Sequence, residues 1–265
     1  MLHIKGVAAD PSISAVVGSG SDADVLVRPS HVARVLEQLR CHGWEQYSDF
    51  EWGSPFGHAA TFFHECWGFG DIHRHFPGIG LPADEAFEQL WSTRSTRSLA
   101  GISCVMPSLP AQALIMVLNA ARSGGPSSRM ALVRTAWEGT PTELREEVTA
   151  LVATLRAEVA FSAGLGELDR YRGRREYLLW KVASQGGTRL EEWVARVWAA
   201  PTPRAALGLA LRAPLVNREH LAIRIGHQPT RLEVLREFVA RPYRGLIQEI
   251  DRLRQRRSRR HNQTP

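Results

Sequence analysis

Lysine is nearly missing from this chain of 265 residues: Lys5 and Lys181 are the only two, and arginine supplies every other fixed positive charge. Cysteine is scarce as well. Three thiols, Cys41, Cys66 and Cys104, are too few and odd in number for a disulfide framework, which points to a reducing compartment. No apolar run approaches the length of a membrane span, since Ala113–Leu118 is far too short, and no basic-then-apolar leader opens the chain. A cytoplasmic home without membrane association is therefore expected. Internal repeats are lacking too, which excludes solenoids and propellers.

What is present is an ordinary globular composition, 44% hydrophobic, at a length that fits one large or two modest domains. Charge is unevenly shared. Residues 1–106 carry 7 Lys+Arg against 12 Asp+Glu, whereas the remainder carries 26 against 15, giving the overall +6. Part of that excess is the tail Arg252–Arg260, a run that reads as a solvated terminus or as a nucleic-acid arm.

The most informative stretch is Gly18-Ser19-Gly20-Ser21-Asp22-Ala23-Asp24-Val25-Leu26-Val27. If the apolar end is a strand, side chains alternate, so Asp22 and Asp24 project from one face. Two close carboxylates favour a cation between them, and hard oxygen ligands suit Mg²⁺. The Gly-Ser loop offers amide N–H groups and hydroxyls of the kind that hold phosphate, which makes Gly18, Ser19 and Ser21 candidate nucleotide contacts. The glycine spacing also matches a dinucleotide fingerprint, but a strand follows it where that fingerprint needs a helix. An EF-hand loop would need more acids and a terminal Glu. The same residue types also make an ordinary solvated turn.

Downstream, Ser30 is placed to cap a helix whose buried face is Val32, Val35, Leu36 and Leu39, ended by Gly43. A short strand is expected within Trp44–Trp52. His58–Cys66 and Asp71–Phe76, joined through Trp67-Gly68-Phe69-Gly70, read as a hairpin. Alternation then puts Asp71, His73 and His75 on one face, and Asp71 on a strand beside Asp22 and Asp24 would complete a three-acid site. His64, Cys66, His73 and His75 raise a zinc alternative, although no closed ligand spacing supports it. Residues 84–91 are expected helical, 92–98 a polar linker and 99–106 a strand. Beyond that, helical patterns run over 111–122, 142–161, 174–184, 190–198, 204–211, 232–239 and from Tyr243 into the tail. The expected organisation is α+β: a small mixed-sheet core at 1–106, an all-helical region at 107–251, and an Arg-rich tail at 252–265.

Lys5-Gly6, Ser21-Asp22-Ala23-Asp24-Val25-Leu26-Val27, Gly43-Trp44, His58 and Asp71-Ile72-His73 occur in that order. The ordered set, covering about the first 120 residues, resembles the uncharacterised nucleotidyltransferase family of the DNA polymerase β-like superfamily. It departs from that family's pattern in beginning at the Lys-Gly element and in having Gly-Ser-Gly-Ser where a basic residue is usual. The resemblance implies Mg²⁺ (or Mn²⁺) with an NTP as co-substrate, and metal ligation and catalysis by Asp22, Asp24 and Asp71. It also implies phosphate contacts near Lys5 and Gly6, with His73 orienting the acceptor. The implied reaction moves a nucleoside monophosphate to a hydroxyl of a small molecule or peptide; such genes occur with natural-product and lasso-peptide clusters. Two alternatives remain at this stage. One is a catalytically degenerate protein that binds a nucleotide or a partner; the other is a toxin-like nucleotidyltransferase acting on tRNA.

Overall fold

A computed structural model describes residues 1–13, 22–51, 56–122, 133–213, 221, 225–238 and 240. The apolar run after the acidic pair is a strand, β2 (Asp22–Leu26), preceded by the short β1 (Leu2–His3). Helix α1 (Val32–Cys41) and strand β3 (Glu45–Ser48) follow, then the hairpin β4 (Ala59–His64) and β5 (Gly68–His73). These five strands form one mixed sheet in the order β1-β2-β5-β4-β3. Only β2 and β5 run parallel; the other neighbours are antiparallel. The chain is thus α+β, with helices filling most of the described sequence after the sheet.

Alternation along the strands gives the sheet two distinct faces. Val25, Val27, Ala60, Phe62 and Ile72 pack under the apolar stripe of α1, formed by Val32, Val35, Leu36 and Leu39 as its periodicity required. The capping residue differs from expectation. Pro29 starts a 3-10 turn, Pro29–His31, so His31 and not Ser30 stands at the head of α1, without a side-chain cap.

The opposite face is covered at one end by a helical layer. Helix α2 (Ala83–Ser92) contributes Phe87 and Leu90, and α3 (Leu109–Ala120) is buried along almost its whole length. Together with Leu2, Ile4, Leu26 and Phe76 they form the main core. A helix apolar on every side belongs in an interior. That interior is the sheet's own, so the boundary expected at residue 106 does not coincide with the division found. The chain divides into two units, Met1–Gln185 and Gly186–Pro265.

Two further readings change. The polar stretch at 92–98 contains a strand, β6 (Ser95–Leu99), which turns through Ala100-Gly101 at positive φ and pairs with β7 (Ile102–Met106) in a two-stranded sheet. The helix expected over 142–161 is broken into α4 (Thr142–Thr154) and α5 (Glu158–Leu165). Arg156 sits at φ 53° at the break, and the Leu155 carbonyl accepts from Gly80 N–H at 2.9 Å. Helix α5 lies so close to α3 that a Cβ on Gly164 would stand 2.5 Å from the Val117 carbonyl oxygen. Helix α6 (Tyr177–Gln185) ends the first unit, contributing the buried Trp180.

The second unit has α7 (Arg189–Ala199), opened by a reciprocal capping box between Thr188 and Glu191, and α8 (Pro203–Arg212), capped by Thr202. Residues 231–238 are also helical. Among the described residues no helix is long and apolar enough to cross a membrane.

Candidate functional site

The parallel pairing of β2 with β5 sets Asp24 directly beside Asp71. Paired residues share a face, so the face away from α1 can be followed row by row across the sheet. An inner row joins Leu2, Leu26, His73 and Ala59. A middle row joins Asp24, Asp71 and Thr61, and an outer row joins Asp22, Phe69, Phe63 and Glu45. The inner row is closed by the helical layer, the outer row is exposed, and the middle row lies at the transition.

Asp24 is the centre of the polar contacts. Its Oδ1 accepts from His73 Nε2 at 2.8 Å and pairs with Lys5 Nζ at 2.7 Å. Lys5 reaches it because β1 continues past its last ladder pair: Ile4 N–H donates to the Asp24 carbonyl, and the chain then turns through Gly6 at φ 64°. Burial opposes ionisation of Asp24, which is 6% exposed, but the His73 hydrogen bond and the Lys5 charge outweigh it and hold the carboxyl below its ordinary range. Asp71 is half-buried, and its Oδ1 accepts from Thr61 Oγ1 at 2.7 Å.

His73 is fully buried, and burial lowers its pKa against the pull of the Asp24 hydrogen bond. A carboxylate only accepts, so Nε2 carries the proton toward Asp24. Its Nδ1 is buried without a hydrogen-bond partner among the described residues. Beside it lies His58, ring centroids 5.0 Å apart, whose Nε2 is 2.8 Å from Arg122 Nη1. A guanidinium only donates, so His58 Nε2 accepts and the ring is neutral. Burial and the Arg122 charge accordingly push the His58 pKa far down. Burial also lowers Arg122 to about 10, against the attraction of Asp24 and Asp71.

Asp24, Asp71 and His73 each offer one donor atom within 4.8 Å of the others. Two carboxylates with one imidazole suit Mg²⁺ or Mn²⁺, the imidazole tilting the preference toward Mn²⁺. The closeness of the two carboxylates fits a cation there, and His73 would join them through the Nε2 that faces Asp24, its proton then carried by Nδ1. Lys5 already meets part of that need from within the chain.

The expected three-acid site is thus composed differently. Asp24 and Asp71 come together, and His73, expected to orient an acceptor, joins them as a donor. Asp22 shares their face but stands exposed in the outer row, and is not among the gathered donors. Lys5 contacts a carboxylate, with Gly6 at the turn beside it. Gly18, Ser19 and Ser21, like the tail at 252–265, lie outside the described residues. The zinc alternative does not hold together: His64 pairs with Gly68 at the tip of the hairpin, while His73 pairs with Ala59 at its base.

Thr61 and Arg122 are parts of the cluster outside the motif set, and His58 stood in that set without a role. Thr61 was reachable through the hairpin register, because the tip fixes which residue faces Asp71. Arg122 carried no signal beyond its place at the end of an apolar helix. Compared with known proteins, the chain matches no family model, and no significant match to it was found among curated proteins.

Proposed function

We propose that the chain is a divalent-cation-dependent nucleotidyltransferase that moves a nucleoside monophosphate from an NTP to a hydroxyl of a small molecule or peptide. The observation that carries this reading is the side-by-side pairing of Asp24 and Asp71 on parallel strands, with His73 as third donor. Asp24, Asp71 and His73 would hold Mg²⁺ or Mn²⁺, which when bound polarises the α-phosphoryl group and screens its charge. In the transfer the acceptor oxygen bonds to the α-phosphorus, the bond to pyrophosphate breaks, and the hydroxyl proton passes to a base. Asp71 is the member of the pair nearer solvent, oriented by Thr61, and takes that proton. Lys5 brings a cation to the β1 side of the pair, where it meets phosphate charge.

One observation favours a second reading. The Lys5 ammonium already neutralises Asp24, as it would in a protein that binds a nucleotide or a partner without chemistry.

The two separate on incubation of the full chain with each NTP, Mg²⁺ or Mn²⁺ and a panel of hydroxyl acceptors. Pyrophosphate release that requires the cation and is lost in Asp71→Asn supports transfer. NTP binding with no pyrophosphate release, and no Mn²⁺ bound in electron paramagnetic resonance titrations, supports the second reading.

A further inference from the structure

The outer row of the sheet face is unusual for an exposed surface. Phe63 and Phe69 pair directly across β4 and β5, with ring centroids 4.9 Å apart, and Tyr47 meets Phe69 edge-on at 5.5 Å. All three are exposed: Phe63 by 36%, Phe69 by 37% and Tyr47 by 48%. Tyr47 reaches the group where β3 is irregular, between Gln46 and Ser48. A carboxylate stands at each end of the row, with Glu45 paired to Phe63 and Asp22 paired to Phe69.

This aromatic row is continuous with the acidic pair. Phe69 and Asp71 are alternate residues of β5, so their side chains leave the same face about 6.7 Å apart along the strand. Lys5, which would draw phosphate, stands on the β1 side of the acids. The aromatic row extends to the other side, over β5, β4 and β3. A triphosphate held at Lys5 therefore leaves the aromatic row to the acceptor. Aromatic faces attract cations, and flanking carboxylates strengthen that attraction while repelling anions.

We infer that Phe63, Phe69 and Tyr47, bracketed by Glu45 and Asp22, form the acceptor platform of this site, and that the acceptor carries a cationic group a short linker away from its reacting hydroxyl. The substrate class rests on the nucleotidyl-transfer reading, but the platform's preference for cations is testable without it.

The test uses the full chain and three phenols of one shape: tyramine (cationic), 4-ethylphenol (neutral) and 4-hydroxyphenylacetate (anionic). Binding is followed by saturation-transfer NMR titration without NTP or metal. Tyramine is expected to bind about fivefold or more tightly than 4-ethylphenol, with the anion weakest. Phe69→Leu and Glu45→Gln should each reduce the tyramine preference severalfold. If Phe69→Leu perturbs the circular dichroism spectrum, Glu45→Gln alone decides. Equal binding of the three phenols, preference for the anion, no measurable binding of any, or a tyramine preference unmoved by Glu45→Gln each overturn the platform. Cation-selective binding in a protein that releases no pyrophosphate leaves the platform standing and removes the transfer reading instead.

Discussion

The two faces of the five-stranded sheet are made from alternate residues of the same strands, yet they do opposite things. Toward α1 the centre of the face, on β2, β4 and β5, is apolar, and it buries Phe62 and Ala60 completely. Away from α1 the face changes along the strands, from a closed row that is apolar but for His73, through the acids, to exposed aromatics. The lesson is one of division of labour. A face with an apolar centre packs β2, β4 and β5 under α1, so the other can carry buried charge in mid-strand, where packing alone would forbid it. Residues differing by one position along β5, Ile72 and Asp71, thus fall on opposite sides of that division.

The comparison breaks most severely on the apolar side. Phe62→Ala empties the centre of the face under α1 and should lower the unfolding free energy by about 3–5 kcal/mol in a denaturant titration. A loss below 1 kcal/mol would mean that α1 does not hold the sheet. Asp71→Asn should do the reverse. It keeps a side chain able to meet Thr61, so stability should move by less than about 1 kcal/mol. Pyrophosphate release should fall at least about 100-fold, equivalent to roughly 2.7 kcal/mol of barrier.

Acid should then separate the faces by a gentler route. His58 stays neutral in the fold, its pKa pushed far below the unfolded value, so the unfolded chain binds a proton there that the native chain does not. Stability from this group is complete above about pH 6.5 and declines by about 1.4 kcal/mol per pH unit below it. His75, lowered to about 4 chiefly by burial, acts in the same direction between those values. Asp24, held below its ordinary range, loses its contribution only at lower pH still, as it protonates. Urea midpoints at pH 7.5, 6 and 5 read the upper window, and His58→Gln should flatten the slope there. An unchanged slope would place the acid sensitivity elsewhere.

The smallest expected effect sharpens the site itself. Lys5→Met removes the internal cation from Asp24, and Mn²⁺ affinity should rise about fivefold, roughly 1 kcal/mol. Weaker Mn²⁺ binding in this variant would show that Lys5 organises the donors rather than competing with the ion.

Much of this was legible in the order of residues. Alternation in Asp22-Ala23-Asp24-Val25-Leu26 and the apolar stripe of α1 are local patterns, and local patterns fix local faces. The hairpin from His58 to His73 announced itself by its glycine-containing turn. Less legible were features that depend on a partner. β6 has no apolar alternation and exists because β7 folds back onto it. The break at Arg156 lies in a continuous helical pattern, and a loop glycine takes the Leu155 carbonyl there. Arg122 reaches the site from the end of α3, 64 positions from the histidine it meets.

The sequence by itself determined which side chains share a face of the regular strands β2, β4 and β5, because a pleat has a period of two; only in β3, where the register shifts between Gln46 and Ser48, does that period fail. It also determined that α3 must be interior, since it offers water no polar side. Only the tertiary structure decided the register of β2 against β5, and with it that Asp24, and not Asp22, stands beside Asp71 and above His73. Register between strands 47 positions apart is a property of two segments meeting, set by how the helical layer closes over one end of the sheet.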